Sequence, residues 1–116
     1  MEETNIIIYN TADGRTSVSL LAKDGQVWMN QQQLAELFDT SKQNISLHIG
    51  NILEEKELDE NSVVKEYLTT ANDGKTYKVI FYSLDMILAI GFRMRSKRGT
   101  QFRHRANSAY RHEFYQ

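Results

Sequence analysis

Residues 31–50 contain two short amphipathic segments separated by a corner of three residues, and this arrangement constrains the fold more than any other stretch. The first segment places apolar residues at helical spacing, namely Leu34, Ala35, Leu37 and Phe38. The second repeats the stripe with Ile45, Ile49, Ile52 and Leu53. The corner, Asp39–Ser41, is long enough only for a tight turn, and Ala35 is the small residue that two closely crossing helices need. The pattern predicts a helix-turn-helix.

The polar residues at the start of the second segment indicate how this motif is used. Ser41 is expected to cap the helix, because its hydroxyl can accept from the amide of Gln43 or Asn44. Amide side chains can read adenine bidentately, and a recognition helix presents its N-terminal residues to the major groove. We therefore expect a recognition helix at 41–53 that binds duplex DNA. Its predicted DNA contacts are Thr40, Ser41, Lys42, Gln43, Asn44 and Ser46. A corner that only builds the core is the alternative.

The run from Ala35 to Ser46 resembles the helix-turn-helix of lactose-repressor-type regulators. In that class, alanine, serine, glutamine, a β-branched apolar residue and serine fall at the same offsets. Two positions depart from the pattern. The corner has Asp39 where glycine is usual, since one corner residue tends to adopt positive φ. The second helix has His48 at a usually apolar position, and this histidine is either half-buried or directed at phosphate.

The segments that precede the first helix alternate between β-prone runs and turns. Asp-Gly pairs at 13–14 and 24–25 favour tight hairpin turns. We expect a meander with strands over 6–9, 16–21 and 26–29. It leads into the first helix, with Asn30 as N-cap and Gln33 at the capping-box spacing.

A third Asp-Gly pair, at 73–74, predicts a second hairpin with strands over 62–69 and 76–82. A hairpin directly after a helix-turn-helix is the order of a winged helix, whose wing lies along phosphate or enters the minor groove. In this reading Lys75 contacts DNA. In the alternative reading, the hairpin completes a sheet and its lysines protect an edge. Ser83 is expected to cap a third helix that runs from Leu84 to about Arg95.

Basic residues are concentrated at the C-terminal end. Residues 1–92 hold seven Lys or Arg and fourteen Asp or Glu, whereas residues 93–116 hold seven Lys or Arg and one Glu. A basic run with almost no counter-charge favours phosphate over a solvated face. We expect phosphate contacts from Arg93, Arg95, Lys97 and Arg98. DNA would repel the acidic connector at 54–61, which is therefore expected on the far side of the domain.

The composition argues against several functions. The chain has no cysteine, which excludes disulfides, thiolate metal sites and cysteine catalysis. Its three histidines form no HExxH or comparable pair, and no phosphate-binding glycine loop or nucleophile elbow is present. We expect no enzymatic activity, no metal and no cofactor. An acidic N-terminus and the lack of a run of ~20 apolar residues predict a soluble cytoplasmic protein that does not enter a membrane.

Longer strings of the sequence resemble one family. The strings are 27–30, 57–70, 73–77, 82–85 and 98–103, and they are similar to the virulence RhuM family of bacterial pathogenicity islands and mobile elements. The resemblance covers residues 6–103 and implies a DNA-binding character. We expect a transcriptional regulator of such a pathogenicity island or mobile element. Similar modules precede Fic/Doc-type toxin domains. The alternative function is therefore a protein-interaction adaptor for a toxin or effector of a toxin–antitoxin or Fic-type system, with no DNA binding of its own.

These predictions combine into an α+β fold. We expect a small winged helix-turn-helix-like domain at 1–103, with an N-terminal β-meander, a β-hairpin wing and C-terminal helices. A basic, aromatic and helix-compatible tail at 104–116 is interpreted as a departure from the family, with the chain truncated there. An apolar stripe begins just before this tail, at Phe102, Ala106, Tyr110 and Phe114. The stripe predicts a homodimer on a two-fold DNA site, and folding back onto the domain's own core is the alternative.

Overall fold

A computed structural model describes residues 4–11, 13–23, 25–95, 98, 101, 102 and 104. Its strands are β1 (Thr4–Asn10), β2 (Ser17–Lys23), β3 (Gln26–Asn30), β4 (Val64–Thr70) and β5 (Thr76–Ser83). Its helices are α1 (Gln31–Phe38), α2 (Lys42–Glu54), α3 (Glu60–Val63) and α4 (Leu84–Met94). Strands and helices share one core, so the predicted α+β class is confirmed.

All the strands form one antiparallel sheet in the order β1-β2-β3-β5-β4. Within it, β3 pairs with β5, with Trp28 opposite Ser83 and Met29 opposite Tyr82. The β4–β5 hairpin is therefore continuous with the N-terminal meander. It completes the sheet, as the alternative interpretation of this hairpin predicted. Contact of the hairpin with DNA stays a prediction.

The predicted turns of the first and third Asp-Gly pairs are confirmed. Gly14 and Gly74 have φ values of 72° and 81°, in the left-handed region that glycine enters without steric cost. The preceding aspartates stabilise the turns, since Asp13 accepts from the amide of Arg15 at 3.0 Å and Asp73 from that of Lys75 at 2.9 Å. Each turn is thus specified by its own few residues.

The helix-turn-helix forms as its capping signals predict. Asn30 accepts from the amide of Gln33 at 2.8 Å, and the Gln33 side chain accepts from the amide of Asn30 at 2.8 Å. The hydroxyl of Ser41 accepts from the amide of Asn44 at 3.1 Å and begins α2. Asp39 adopts the left-handed conformation at the corner, with φ of 55°. An aspartate therefore fills the position where glycine is usual.

Two local predictions require correction. The strand predicted to begin at Ser62 begins at Val64, because the amides of Ser62 and Val63 donate to the carbonyl of Asp59 and form the single turn of α3. Ser83 is the N-cap residue of α4, but its hydroxyl makes no capping bond. That hydroxyl is buried without a hydrogen-bond partner. Ser83 is also the last residue of β5, where it pairs with Trp28, so the strand rather than the helix sets the direction of its side chain.

The helices pack on one face of the sheet, and α1 and α2 turn their predicted stripes toward it. Residues that are fully buried there include Val18 and Met29 of the sheet, Leu34 and Leu37 of α1, Ile45 and Ile52 of α2, and Ile87 and Ile90 of α4. Phe102 joins the same core, with its ring 5.1 Å from that of Tyr9 in an edge-on contact. The first residue of the C-terminal stripe therefore folds back onto the core. The other three residues of the stripe lie outside the described residues, and the homodimer stays a prediction.

The opposite side of the sheet, here called the outer face, carries side chains that alternate with those of the core. The Tyr67 and Phe81 rings meet there edge-on at 5.4 Å. The ammonium of Lys23 lies 4.5 Å from the Tyr67 ring centre, and that of Lys65 lies 5.0 Å from the Trp28 ring centre. Such cation–π contacts cover aromatic surface without a further layer of structure.

Candidate nucleic-acid interface

The outward side of α2 is fixed by its buried side. Ile45, Ile49 and Ile52 are buried in the core, so the opposite residues face solvent. The exposed residues of α2 include Glu54, which ends the helix on this side. The exposed set nearer the start of the helix, here called the α2 surface, consists of Lys42, Gln43, Ser46, Leu47 and Gly50. The last four follow the i, i+3, i+4, i+7 spacing of a single helix face. This face offers a cation, an amide, a hydroxyl and an apolar group along one line.

The predicted contact residues of the motif divide into two groups. Lys42, Gln43 and Ser46 lie on the α2 surface. Thr40, Ser41 and Asn44 instead build the corner, where the side-chain amide of Asn44 donates to the Thr40 hydroxyl at 3.0 Å and Ser41 caps the helix. The corner group therefore positions α2, and its contact with DNA stays a prediction.

Sequence reasoning missed three residues of this region. Leu47 is 59% exposed and adds an apolar group to this surface. Gly50 is also exposed, and a Cβ added there would meet no atom within 4 Å. The Gln31 side chain, on α1, donates to the carbonyl of Lys42 at 2.7 Å and to the hydroxyl of Ser46. The helical spacing from Gln43 could have found Leu47 and Gly50, whereas the Gln31 contact depends on how the helices cross.

Arg93 is engaged with the acidic connector. Its guanidinium lies 3.1 Å from the carboxylate of Glu55 and 2.8 Å from that of Glu57. Hydrogen bonds to Glu55 and then to Glu57 raise the pKa of Arg93 above its ordinary value. The contact joins the end of α2 to the last turn of α4. Arg95, which ends α4 with φ of 51°, is exposed, and Lys97 lies outside the described residues.

Arg98 forms a second internal anchor, here called the Arg98 tether. Its guanidinium lies 2.9 Å from the carboxylate of Asp13, in the β1–β2 turn, and donates to the carbonyl of Glu36, in α1, at 3.2 Å. The side chain is only 12% exposed. The tether therefore supports the C-terminal end of α1, next to the corner. The sequence predicts a role for Asp13 only in its turn, because no local pattern connects it with residue 98.

An open cleft of about 350 Å³ separates the start of α1 and α2 from β5. Its walls are formed by Asn30, Gln31, Gln32, Lys42, Lys78, Val79, Ile80 and Tyr82. Lys42 belongs to the helical wall and Lys78 to the strand wall. The Lys78 ammonium lies 3.4 Å from the carboxylate of Glu66, and both side chains are largely exposed. Lys75, the hairpin lysine predicted to contact DNA, is exposed in the turn that follows β4.

The described residues contain no group of three or more His, Cys, Asp or Glu side chains that could hold a metal ion. His48 is half-buried in α2, which agrees with the first of its two interpretations. Within the same part of the chain, no helix combines the length and apolar character needed to cross a membrane.

The fold and this surface define an α+β protein built around a helix-turn-helix. The model of the Virulence protein RhuM family matches residues 62–116, which include β4, β5 and α4. The match confirms the resemblance to this family over residues 62–103, whereas the part of the chain before residue 62, with the helix-turn-helix, lies outside the matched range. It also corrects one interpretation, because residues 104–116 lie inside the matched range and are not a departure from the family. No curated protein and no solved structure matches the chain.

Replacing Arg98 by glutamine should lower the melting temperature by roughly 4–8 °C, which corresponds to the loss of about one net hydrogen bond in a small domain. The cause is the loss of the bonds to Asp13 and to the end of α1. Arg15→Gln is the matched control, since it removes an exposed guanidinium beside the same turn. Thermal unfolding followed by circular dichroism measures both, and equal melting temperatures for the two variants would contradict the tether.

The Asp13 carboxylate should make stability depend on pH in the acid range. Hydrogen bonds from the Thr11 hydroxyl, the Arg15 amide and Arg98 hold the pKa of Asp13 well below its ordinary value. Its contribution is complete above the unfolded pKa, about 3.9, and is lost as the pH falls through the lower folded pKa. Asp13→Asn should therefore have a lower free energy of unfolding than the parent chain at pH 7, and the difference between the two proteins should be smaller at pH 3. Denaturant unfolding at both pH values measures this difference, and an equal difference at pH 7 and pH 3 would contradict the prediction.

Proposed function

We propose that this chain is a DNA-binding module that reads duplex DNA with α2 and regulates transcription in a pathogenicity island or other mobile element. One observation carries the proposal. The α2 surface presents hydrogen-bonding residues at the start of a helix whose opposite face is held in the core. The family match supports an association with virulence. Duplex DNA is the partner that this arrangement of a capped, exposed helix fits best.

Each residue of the α2 surface has a chemical role in this proposal. Gln43 reads a base through its amide, and Lys42 binds a phosphate beside the groove. Leu47 contacts the methyl group of thymine, which distinguishes that base in the major groove. Gly50 lets the wall of the groove approach the helix backbone. Gln31 holds Ser46 in place through its hydrogen bond to the hydroxyl.

The basic C-terminal residues divide into two roles. Arg93 and Arg98 are positioning residues, because both guanidinium groups are paired with carboxylates of the chain itself. Arg95 remains a phosphate ligand in the proposal, since its side chain is exposed. Lys75 also remains a phosphate ligand in the proposal, because its side chain is exposed as well. The electrostatic attraction to DNA thus depends on fewer cations than the sequence contains.

The outer face favours a second candidate function, a protein-interaction adaptor. Ile6 and Ile8 are 71% and 56% exposed there, and exposed apolar groups on a sheet suit a protein partner. Titration of fluorescent duplexes separates the two candidates. Binding that weakens steeply with salt supports the DNA-binding module, whereas no binding even at low salt supports the adaptor.

Gln43→Ala should relax the base preference at one position of the site, at a cost of about 1–3 kcal/mol on the preferred duplex. The preferred duplex is first selected from a random pool with the parent chain, and its single-base variants are then titrated. Gln26→Ala is the matched control, because it removes the same amide from an exposed position at the start of β3. An unchanged base preference in Gln43→Ala would show that α2 is not the recognition helix.

Gly50→Ala should change stability and DNA binding in opposite directions. An added Cβ meets open space, so the free energy of unfolding should rise by roughly 0.5–1 kcal/mol through higher helix propensity. Binding should weaken, because the methyl group separates α2 from the groove wall. Denaturant unfolding and duplex titration give the two quantities. A more stable variant that binds the duplex with full affinity would show that Gly50 does not lie at the interface with DNA.

A further inference from the structure

The cleft between the helices and β5 has a lysine on each wall. Lys42 comes from the first turn of α2 and Lys78 from β5. Among the described residues, the only carboxylate that forms an ion pair with either ammonium is that of Glu66, which lies 3.4 Å from Lys78. Because that pair is exposed, it holds Lys78 only weakly in water. The cleft therefore suits an anionic occupant that can reach both walls.

The strand wall continues along one face of the hairpin. Leu68 is paired with Lys78 and Glu66 with Ile80, so these side chains share the face that looks toward the helices. Leu68 is 73% exposed and Ile80 is 39% exposed, because the hairpin extends past the helices that cover the rest of the sheet. Apolar groups thus alternate with charged groups along this wall.

A nucleic-acid strand has the matching chemistry. Its phosphates are anionic, and the sugars between them are largely apolar. Lys42 also belongs to the α2 surface, so a strand that borders the groove beside α2 passes directly to the cleft. Bonds to phosphate and sugar fix the register of a protein on a duplex without reading its sequence.

We propose that this cleft is the binding site for one sugar–phosphate strand of the duplex whose major groove receives α2. Lys42 and Lys78 bind its phosphates from opposite walls, and Leu68 and Ile80 contact its sugars. The proposal rests on the proposed function. It adds a second point of attachment, on the side of the hairpin opposite the outer face.

Lys78→Gln should weaken binding to every duplex by the same factor and lower the magnitude of the salt slope by about 0.9, the value for one lost phosphate contact. Lys65→Gln is the matched control. It removes the same charge from the same hairpin, but Lys65 lies on the outer face over Trp28. Fluorescence anisotropy across a salt series, with duplexes of several sequences, gives affinity and slope for both variants, and their melting curves confirm that both are folded.

Glu66→Gln provides a test with the opposite sign. Removing the carboxylate beside Lys78 should strengthen binding to all duplexes, since the ammonium no longer has a competitor for phosphate. If Lys78→Gln and Lys65→Gln have equal affinities and salt slopes while the parent chain binds duplex DNA, the cleft does not bind a strand and the proposed function stands. If the parent chain binds no duplex at low salt, both proposals fail.

Discussion

The burial of the isoleucine face of α2 is the constraint on which the rest of the structure depends. Ile45 and Ile52 are fully buried among side chains of α1, α4 and the sheet. Burial of such side chains contributes about 1.5–3 kcal/mol each, far more than any single polar contact on the helix surface. The rotation of α2 is therefore set by its hidden side, and the residues offered to a partner follow from it.

Local structure could be predicted from the sequence because local bonds determine it. The capping box of α1, the Ser41 cap of α2 and the Asp13-Gly14 turn each depend on residues within five positions of one another. The pairing of β3 with β5 joins segments on either side of the helix-turn-helix, and no short pattern encodes it. The Asp13–Arg98 contact was missed for the same reason.

The basic C-terminal run shows why charge counts predict surfaces poorly. The excess of arginine is evident in the sequence, but the carboxylates that lie near each arginine are determined only by folding. Arg93 lies against the acidic connector and Arg98 against a turn near the other end of the chain. Arg93 and Arg98, which a count along the sequence assigns to one basic patch, therefore form two separate contacts within the domain. The α2 surface was predicted better, because a helix converts sequence spacing directly into a face.

The position of the helix-turn-helix between two adjacent strands has a consequence for folding kinetics. Trp28 and Ser83 pair across the sheet, yet α1, α2, α3 and β4 all lie between them in the chain. Closing so large a loop costs entropy before the contacts between β3 and β5 are gained, and such non-local pairings form slowly. Short helices such as α1 and α2 are marginal on their own in water. We therefore expect α2 to become persistent only when the sheet closes, so that a nascent chain acquires its α2 surface late, after residue 83 has left the ribosome.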